Sequence, residues 1–229
     1  MLNELVLIIF YIAILIYSII LHEVFHGVAA LWLGDQTAKY AGRLTANPLK
    51  HIDPMMTIFV PLIMFLTTGF AFGGAKPVPY NPYNLRNQKW GPTLVALAGP
   101  LSNILIAILA AIFARLISLP MPIKRDIMNN FNDWGAISHV ISGSGGAIIF
   151  EVLVMIIFWN VILAFFNLIP IPPLDGSKLL FAIANIKVET MAIFEQFGFV
   201  LLFLFIIVFS GPLGIFLDSM LRLFFSIAN

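Results

Sequence analysis

Long apolar runs dominate this chain and limit what it can fold into. Residues 4–34, 93–119, 146–169 and 194–208 are candidates for membrane-crossing helices, each of which needs roughly 20 apolar residues. Hydrophobic residues make up 61% of the chain and charged residues only 10%, against about a quarter in soluble domains. Because a backbone in lipid must satisfy its hydrogen bonds internally, we expect an all-α polytopic membrane protein.

Two further segments are less clear candidates for membrane helices. Residues 54–72 are long enough to cross a membrane but are interrupted by proline and glycine. The stretch after Gly211 is expected to lie at the surface or to close a last helix. We therefore expect about five to six membrane segments. They should form a single domain over residues 1–229, with its core over residues 5–185 and C-terminal helices over residues 193–229.

The end of the first apolar run carries the pattern His22-Glu23-Val24-Phe25-His26. On a helix, residues four apart lie on one face, so His22 and His26 can bind a single ion. Neutral imidazoles are zinc ligands, and Glu23 is placed to take a proton from a water molecule and pass it to a leaving amine. The alternative is a helix end at the membrane interface, with the histidines facing headgroups. Ionisable residues in an apolar helix cost roughly 2.5–3.5 kcal/mol each, which favours a functional site.

A zinc site needs a third protein ligand, and the absence of cysteine leaves histidine, aspartate and glutamate. Asp175 follows Pro170, Pro172 and Pro173, which prevent a regular helix where the acid appears. A broken helix can turn Asp175 towards a metal. The alternative is an ordinary exit turn in which Asp175 caps a helix that begins near Ser177. Weaker acidic candidates are Asp35, Asp53, Glu195 and Asp218.

Three further ionisable residues are expected to have other roles. Glu151, near the start of its helix, is predicted to snorkel to the interface or to form an ion pair. His51 and His139 lie in predicted loops and are expected to be solvated.

Two motifs together resemble those of the site-2 protease family of intramembrane zinc metalloproteases. The family's motifs are His-Glu-x-x-His on one membrane helix and Asn-x-x-Pro-x-x-x-Leu-Asp-Gly on a later one. In this chain they are His22-Glu23-Val24-Phe25-His26 and Asn167-Leu168-Ile169-Pro170-Ile171-Pro172-Pro173-Leu174-Asp175-Gly176. Residues 98–103 look like the motif that opens the family's intervening helix. Residues 74–82 look like a loop of a compact bacterial and archaeal branch.

The resemblance implies the site and its partners. It implies three ligands for one Zn2+ per chain, namely His22, His26 and Asp175. It also implies that Glu23 is the catalytic base and that Asn167 and Asn103 help to position the substrate or an intermediate. The expected partners are transmembrane protein substrates in the lipid bilayer of a bacterial or archaeal inner membrane. The net charge of +1 gives no reason to expect nucleic acid.

The position of the histidines predicts a topology. If the first helix begins near residue 4, His22 lies about 27 Å along it, close to the face where that helix ends. Asp175 follows the third clear span and has to reach the same face. This requires residues 54–72 to dip into the membrane and return rather than to cross it, so we predict a re-entrant element there.

Basic residues then predict the orientation. In this topology the active-site face holds eight of them and the opposite face four, which makes the active-site face cytoplasmic by the positive-inside rule. The eight are Lys39, Arg43, Lys50, Lys76, Arg86, Lys89, Lys178 and Lys187, and the four are Arg115, Lys124, Arg125 and Arg222.

Cleavage requires the substrate helix to unwind, because its carbonyl groups are otherwise held in hydrogen bonds. Residues 37–45 are predicted to offer a sheet edge to the extended substrate, as part of a small β-hairpin near the active site. A plain loop is the alternative. Two rival functions also fit the motifs: a transporter or ion channel with a path lined by histidine and glutamate, and a catalytically silent relative that binds membrane helices.

Overall fold

The computed structural model describes residues 2–60, 62–63, 66, 73–133, 135, 137 and 144–229, and its regular structure within those ranges is entirely helical. In chain order the α-helices are α1 (Leu2–Trp32), α2 (Thr37–Tyr40), α3 (Gly91–Leu116), α4 (Met121–Asn130), α5 (Gly145–Asn167), α6 (Gly176–Ile183), α7 (Val188–Gln196) and α8 (Gly198–Ala228). Single turns of 3-10 helix cover Pro48–Lys50 and Pro82–Asn84, and a π-helical segment covers Pro54–Phe59.

Four of the described helices are long and apolar enough to cross a membrane, namely α1 over Leu5–Trp32, α3, α5 and α8. The mean hydropathy of their most apolar stretches ranges from 2.2 to 2.7. The prediction of a polytopic helical membrane protein is therefore confirmed. Residues 61, 64–65 and 67–72 of the predicted re-entrant element lie outside the described ranges, so this element stays a prediction, as does the larger number of membrane segments.

Of the two alternatives for the stretch after Gly211, the structure has the second, in which this stretch closes a last helix. One helix, α8, runs through the whole region, with a local break at Phe209, where φ is −112° and ψ is 17°. Pro212 lies inside this helix. A proline has no N–H to donate to the carbonyl four residues earlier, and its ring crowds that carbonyl. This accounts for a break just before Pro212.

The strand predicted over residues 37–45 is wrong. Thr37–Tyr40 forms the short helix α2, and the next amides also bond locally, from Ala41 to the carbonyl of Thr37 at 2.9 Å and from Arg43 to that of Ala38 at 3.0 Å. Because these backbone groups are already paired within the segment, they offer no edge for strand addition. No strand or hairpin occurs elsewhere in the described part of the chain.

The chain divides into two compact units. The first contains Met1–Ser18, Asn103–Asn167 and Val200–Asn229, and the second contains Ile19–Ser102 and Leu168–Phe199. The predicted metal ligands and Glu23 all belong to the second unit, whereas Asn103 and Asn167 belong to the first. The expectation of a single domain over residues 1–229 stays a prediction.

In the core of the first unit, small side chains of α3 pack against larger side chains of α5. Fully buried side chains follow the helical repeat along one side of α3 and one side of α5, namely Ala107, Ala111, Ala114, Phe150, Val154, Ile157 and Val161. Alanine lets helix backbones approach closely, and such packing is what holds helices together in lipid, where burial of apolar surface gives little driving force.

Glu151 lies in the interior of this first unit. It has 0% exposure, and neither carboxylate oxygen has a hydrogen-bond partner within the described residues. The expectation that it snorkels is therefore wrong, and it forms no ion pair with any residue that the structure describes. Val154 and Met155, three and four residues further along α5, are also fully buried, so this side of the helix is packed interior rather than an interface.

Candidate metal centre

Two histidines and one aspartate bring their ligand atoms together in the second unit. Nε2 of His22 lies 3.0 Å from Oδ2 of Asp175, and Nε2 of His26 lies 3.3 Å from the same oxygen. One ligand atom from each of the three residues falls within 4.8 Å of the others. The two rings meet edge to face, with centroids 4.6 Å apart, as their spacing on one helix face predicts.

Asp175 reaches the histidines because the chain between α5 and α6 is not helical. The amide of Leu174 donates to the carbonyl of Ile171 at 2.9 Å, so the backbone turns tightly before the acid. Gly176 lies against the carbonyl group of Leu168, and a Cβ at this position would be 2.2 Å from the carbonyl oxygen. The close packing of these two residues therefore requires glycine at position 176. The Asp175 side chain makes no capping bond to α6, which excludes the capping role considered above.

The neighbouring imidazoles determine the charge of Asp175. Burial by itself would raise the pKa of this carboxyl, but His26 and His22 beside it lower the pKa to about 2. The carboxyl is therefore ionised at neutral pH, and the ionised form is the one that binds a metal.

The arrangement fits a zinc ion. Tetrahedral zinc with ligands at about 2.0–2.2 Å separates neighbouring ligand atoms by about 3.3 Å, close to the observed 3.0 and 3.3 Å. Gly99 on α3 leaves the necessary space, because a Cβ there would lie only 2.5 Å from Nε2 of His26 and 2.7 Å from Nε2 of His22. Two imidazoles and one carboxylate form a donor set used by catalytic zinc, which keeps a fourth position open.

His26 is oriented by a second contact. Its Nδ1 lies 2.8 Å from the carbonyl oxygen of Val95. A carbonyl only accepts hydrogen bonds, so Nδ1 carries a proton, and Nε2, on the Asp175 side of the ring, is the nitrogen available to a metal. Val95 is 2% exposed and packs in a small buried cluster with Ala30 and Leu85, so the carbonyl that orients the ring belongs to a packed part of the second unit.

Glu23 is held by an extended segment that sequence reasoning did not connect to it. Oε2 of Glu23 accepts a hydrogen bond from the backbone N–H of Val78 at 2.8 Å. A Cβ on Gly27 would lie 2.8 Å from Cγ1 of Val78 and 2.6 Å from Cδ2 of Leu44, so glycine beside His26 is what allows this approach. The only signal in the sequence was the resemblance of residues 74–82 to a family loop.

Asp35 anchors the far end of that extended segment. Its side chain, with 0% exposure, accepts hydrogen bonds from the N–H of Asn81 at 2.7 Å and from the amide of Asn84 at 2.9 Å, as well as from the backbone and hydroxyl of Thr37. Burial would raise the pKa of Asp35, but these hydrogen bonds hold it below the usual value. The described contacts of this weaker candidate ligand are therefore structural.

His51 is buried rather than solvated, so that expectation is wrong. It is 2% exposed, and its Nε2 donates to the carbonyl of Thr45 at 2.8 Å, while its own carbonyl accepts the N–H of Lys76 at 2.8 Å. Arg43 also donates to the carbonyl of Lys76. The backbone of His51 and the side chain of Arg43 thus fix Lys76, two residues before Val78. His139 lies outside the described residues.

The two asparagines predicted to position substrate are both engaged in the first unit. Asn103 is fully buried, and its amide donates to Oδ1 of Asn160 at 2.7 Å, while Asn160 donates to Oγ of Ser18 at 2.9 Å. These three residues link α1, α3 and α5. The amide of Asn167 donates to the carbonyl of Leu163 within α5 at 2.9 Å. Their proposed contact with substrate stays a prediction.

The apolar helices and this site together define a zinc metalloprotease embedded in a membrane. Residues 10–209 match peptidase family M50, and the chain belongs to this family. The resemblance to the site-2 proteases is therefore confirmed.

Curated relatives agree with this assignment. The chain is 32% identical to the proposed zinc metalloprotease YwhC of Bacillus subtilis, over 93% of this chain and 90% of YwhC. It is 28% identical to the proposed zinc metalloprotease Rip2 of Mycolicibacterium smegmatis, over 83% of this chain, and 27% identical to Rip2 of Mycobacterium tuberculosis, over 85%. These alignments span 63% and 64% of the two Rip2 proteins. No solved structure gives a significant match.

Proposed function

We propose that the chain is a zinc-dependent intramembrane endopeptidase of the site-2 type. It hydrolyses peptide bonds in or near transmembrane segments of membrane-anchored proteins, as in regulated intramembrane proteolysis. The observation that carries this proposal is the convergence of His22, His26 and Asp175 beside Glu23 on an apolar helix long enough to cross a membrane.

The metal ligands have defined parts in this proposal. His22, His26 and Asp175 hold Zn2+, with the lone pair of His26 directed by its bond to Val95. When bound, zinc supplies Lewis-acid polarisation of the scissile carbonyl and acidifies water. The ionised Asp175 balances one of the two positive charges and leaves the site electrophilic.

Glu23 is the proposed general base. Its carboxylate accepts a proton from the attacking water and delivers it to the leaving amine nitrogen. The bond from Val78 holds Oε2, and we assign the proton transfer to Oε1, the other oxygen of the carboxylate. A carboxylate held by one oxygen keeps its orientation while the other reacts, which lowers the entropic cost of reaching the transition state.

We further propose a bacterial or archaeal inner membrane, with the metal centre towards the cytoplasm. Asp175 and the loop residues that hold Glu23 lie outside the spanning helices, and His22 and His26 lie in the second half of the span Leu5–Trp32. This arrangement supports a site near one membrane face. The excess of basic residues predicted for that face supports a cytoplasmic orientation.

The test compares wild-type protein with Glu23→Gln in detergent, using a membrane-anchored reporter and measuring zinc content in parallel. The variant should keep about one zinc per chain and lose about 10²–10⁴-fold in cleavage rate, the usual contribution of a general base. Asp218→Asn, which removes the same charge at an exposed residue outside the site, should cleave normally. Residual cleavage within a few fold of wild type would remove Glu23 from the role of base. Zinc at full occupancy without cleavage by wild-type protein would favour the silent relative.

A further inference from the structure

A cavity of about 380 Å³, separate from the residues of the metal centre, lies in the second unit. Residues 83–89, which precede α3, form one side of it, and α6 with the beginning of α7 forms the other. Its lining includes three lysines, Lys89, Lys178 and Lys187, as well as Tyr83 and Glu189. None of the metal-centre residues described above lines it. Its volume is within the range of about 300–1,000 Å³ that is typical of small-molecule sites.

The cavity carries an excess of positive charge. Lys178 forms an ion pair with Glu195, and the hydroxyl of Tyr83 donates to Glu189 at 2.7 Å. Lys89 and Lys187 are exposed, and neither has a carboxylate within ion-pair distance among the residues that the structure describes. Three lysines against two glutamates leave one net positive charge. The complementary ligand is a group with a single negative charge, such as a phosphodiester.

The position of the cavity in the chain places it at a membrane surface. Lys89 lies two residues before the spanning helix α3 begins at Gly91. Helices α6 and α7 connect the spanning helices α5 and α8 and, with 8 and 9 residues, are too short to cross. They nevertheless carry five exposed large apolar side chains, whose exposed fraction ranges from 38% for Leu179 to 64% for Ile183. The other three are Leu180, Ile193 and Phe194. Short helices with apolar side chains outward and lysines nearby are typical of interfacial elements.

We propose that this cavity binds the phosphate group of an anionic phospholipid. Lys89 and Lys187 supply the positive charge, which exceeds the charge of Glu189 by one, and the apolar side chains of α6 and α7 contact the acyl chains. Phosphate at the membrane surface is attracted by juxtamembrane lysines, and a cavity adds a defined place for it. The site needs neither zinc nor proton transfer, so it stands independently of the proposed protease activity.

The experiment measures lipid retention by native mass spectrometry of the full chain released from detergent, carried out on the Glu23→Gln protein. Phosphatidylglycerol, with one negative charge, is compared with zwitterionic phosphatidylcholine, and glycerol 1-phosphate provides a soluble phosphate without acyl chains. The test variant is Lys89→Gln with Lys187→Gln. The matched control is Lys39→Gln with Lys50→Gln, which removes the same charge from two exposed lysines that do not line the cavity.

Phosphatidylglycerol should bind in preference to phosphatidylcholine, and the Lys89/Lys187 variant should bind it about 10- to 30-fold more weakly. The Lys39/Lys50 control should bind it as the unmodified protein does. Binding of glycerol 1-phosphate as tightly as the lipid would overturn the lipid assignment and make a soluble phosphate the ligand. Equal losses in the two double variants, or equal retention of the two lipids, would overturn the site itself, since either result means non-specific surface attraction.

Discussion

Gly99 provides the sharpest test of the metal centre, because a single methyl group there changes the site directly. A Cβ on Gly99 would lie 2.4 Å from Cε1 of His26, 2.5 Å from its Nε2 and 2.7 Å from Nε2 of His22. Ordinary van der Waals contact begins at 3.4 Å. In Gly99→Ala the rings and α3 must therefore separate by about 1 Å in an otherwise close-packed region.

The expected loss follows from that displacement. Misplacing a catalytic group by about 1 Å costs roughly 10²-fold in rate, and disturbing the groups that orient metal ligands costs about 10–100-fold in metal affinity. Within a helix, replacing glycine by alanine should otherwise stabilise by about 1 kcal/mol. Gly99→Ala is thus predicted to fold, to bind zinc about 10–100-fold more weakly and to cleave at least as many fold more slowly.

The assay is zinc content after equilibration with a graded series of chelator concentrations, together with cleavage of a membrane-anchored reporter. Gly214→Ala on α8 is the matched control, because a Cβ at Gly214 meets nothing within 4 Å and makes the same gain in helix propensity. If Gly99→Ala kept wild-type zinc affinity and activity, the reasoning that α3 leaves room for the metal between the two rings would be refuted.

Three further substitutions test the rest of the structure. Asp175→Asn should lower zinc affinity by about 100-fold or more, since the side chain becomes a neutral amide. The control Asp218→Asn, at an exposed position, should retain the metal, and equal zinc content in the two variants would exclude Asp175 as a ligand. Asp35→Ala should destabilise the second unit by about 2–4 kcal/mol, because buried donors lose a charged acceptor, and hydrogen exchange at residues 81–84 should report it. The pKa of Asp35 is lowered by folding, so the part of the wild-type advantage that comes from its charge should be complete above the ordinary value of 3.8 and be lost as pH falls through the lower folded value; a pH-independent difference would contradict this. Asn160→Leu should cost about 0.6–1.7 kcal/mol by removing the bonds to Asn103 and Ser18, measured as unfolding in detergent, and an unchanged stability would show that the three residues are not coupled.

The sequence by itself determined the features that depend on short separations along the chain. Apolar runs of sufficient length predicted α1, α3 and α5, because a backbone in lipid has almost no alternative to a helix. The spacing of His22 and His26 placed both rings on one face, because helix geometry fixes neighbours four residues apart. Proline before Asp175 predicted the break that turns this acid away from a regular helix.

Only the tertiary structure decided which distant groups meet. The bond from Val78 to Glu23 joins residues 55 apart, that from His26 to Val95 joins residues 69 apart, and the space beside the rings depends on Gly99 of another helix. None of these contacts has a local signature, because each requires the chain to have packed first. The same reason explains the wrong expectations for His51 and Glu151, whereas residues 37–45 form their helix through hydrogen bonds within the segment itself. Local composition suggested a strand, a solvated loop and a snorkelling acid, but burial and hydrogen bonding in the folded units determined their environments.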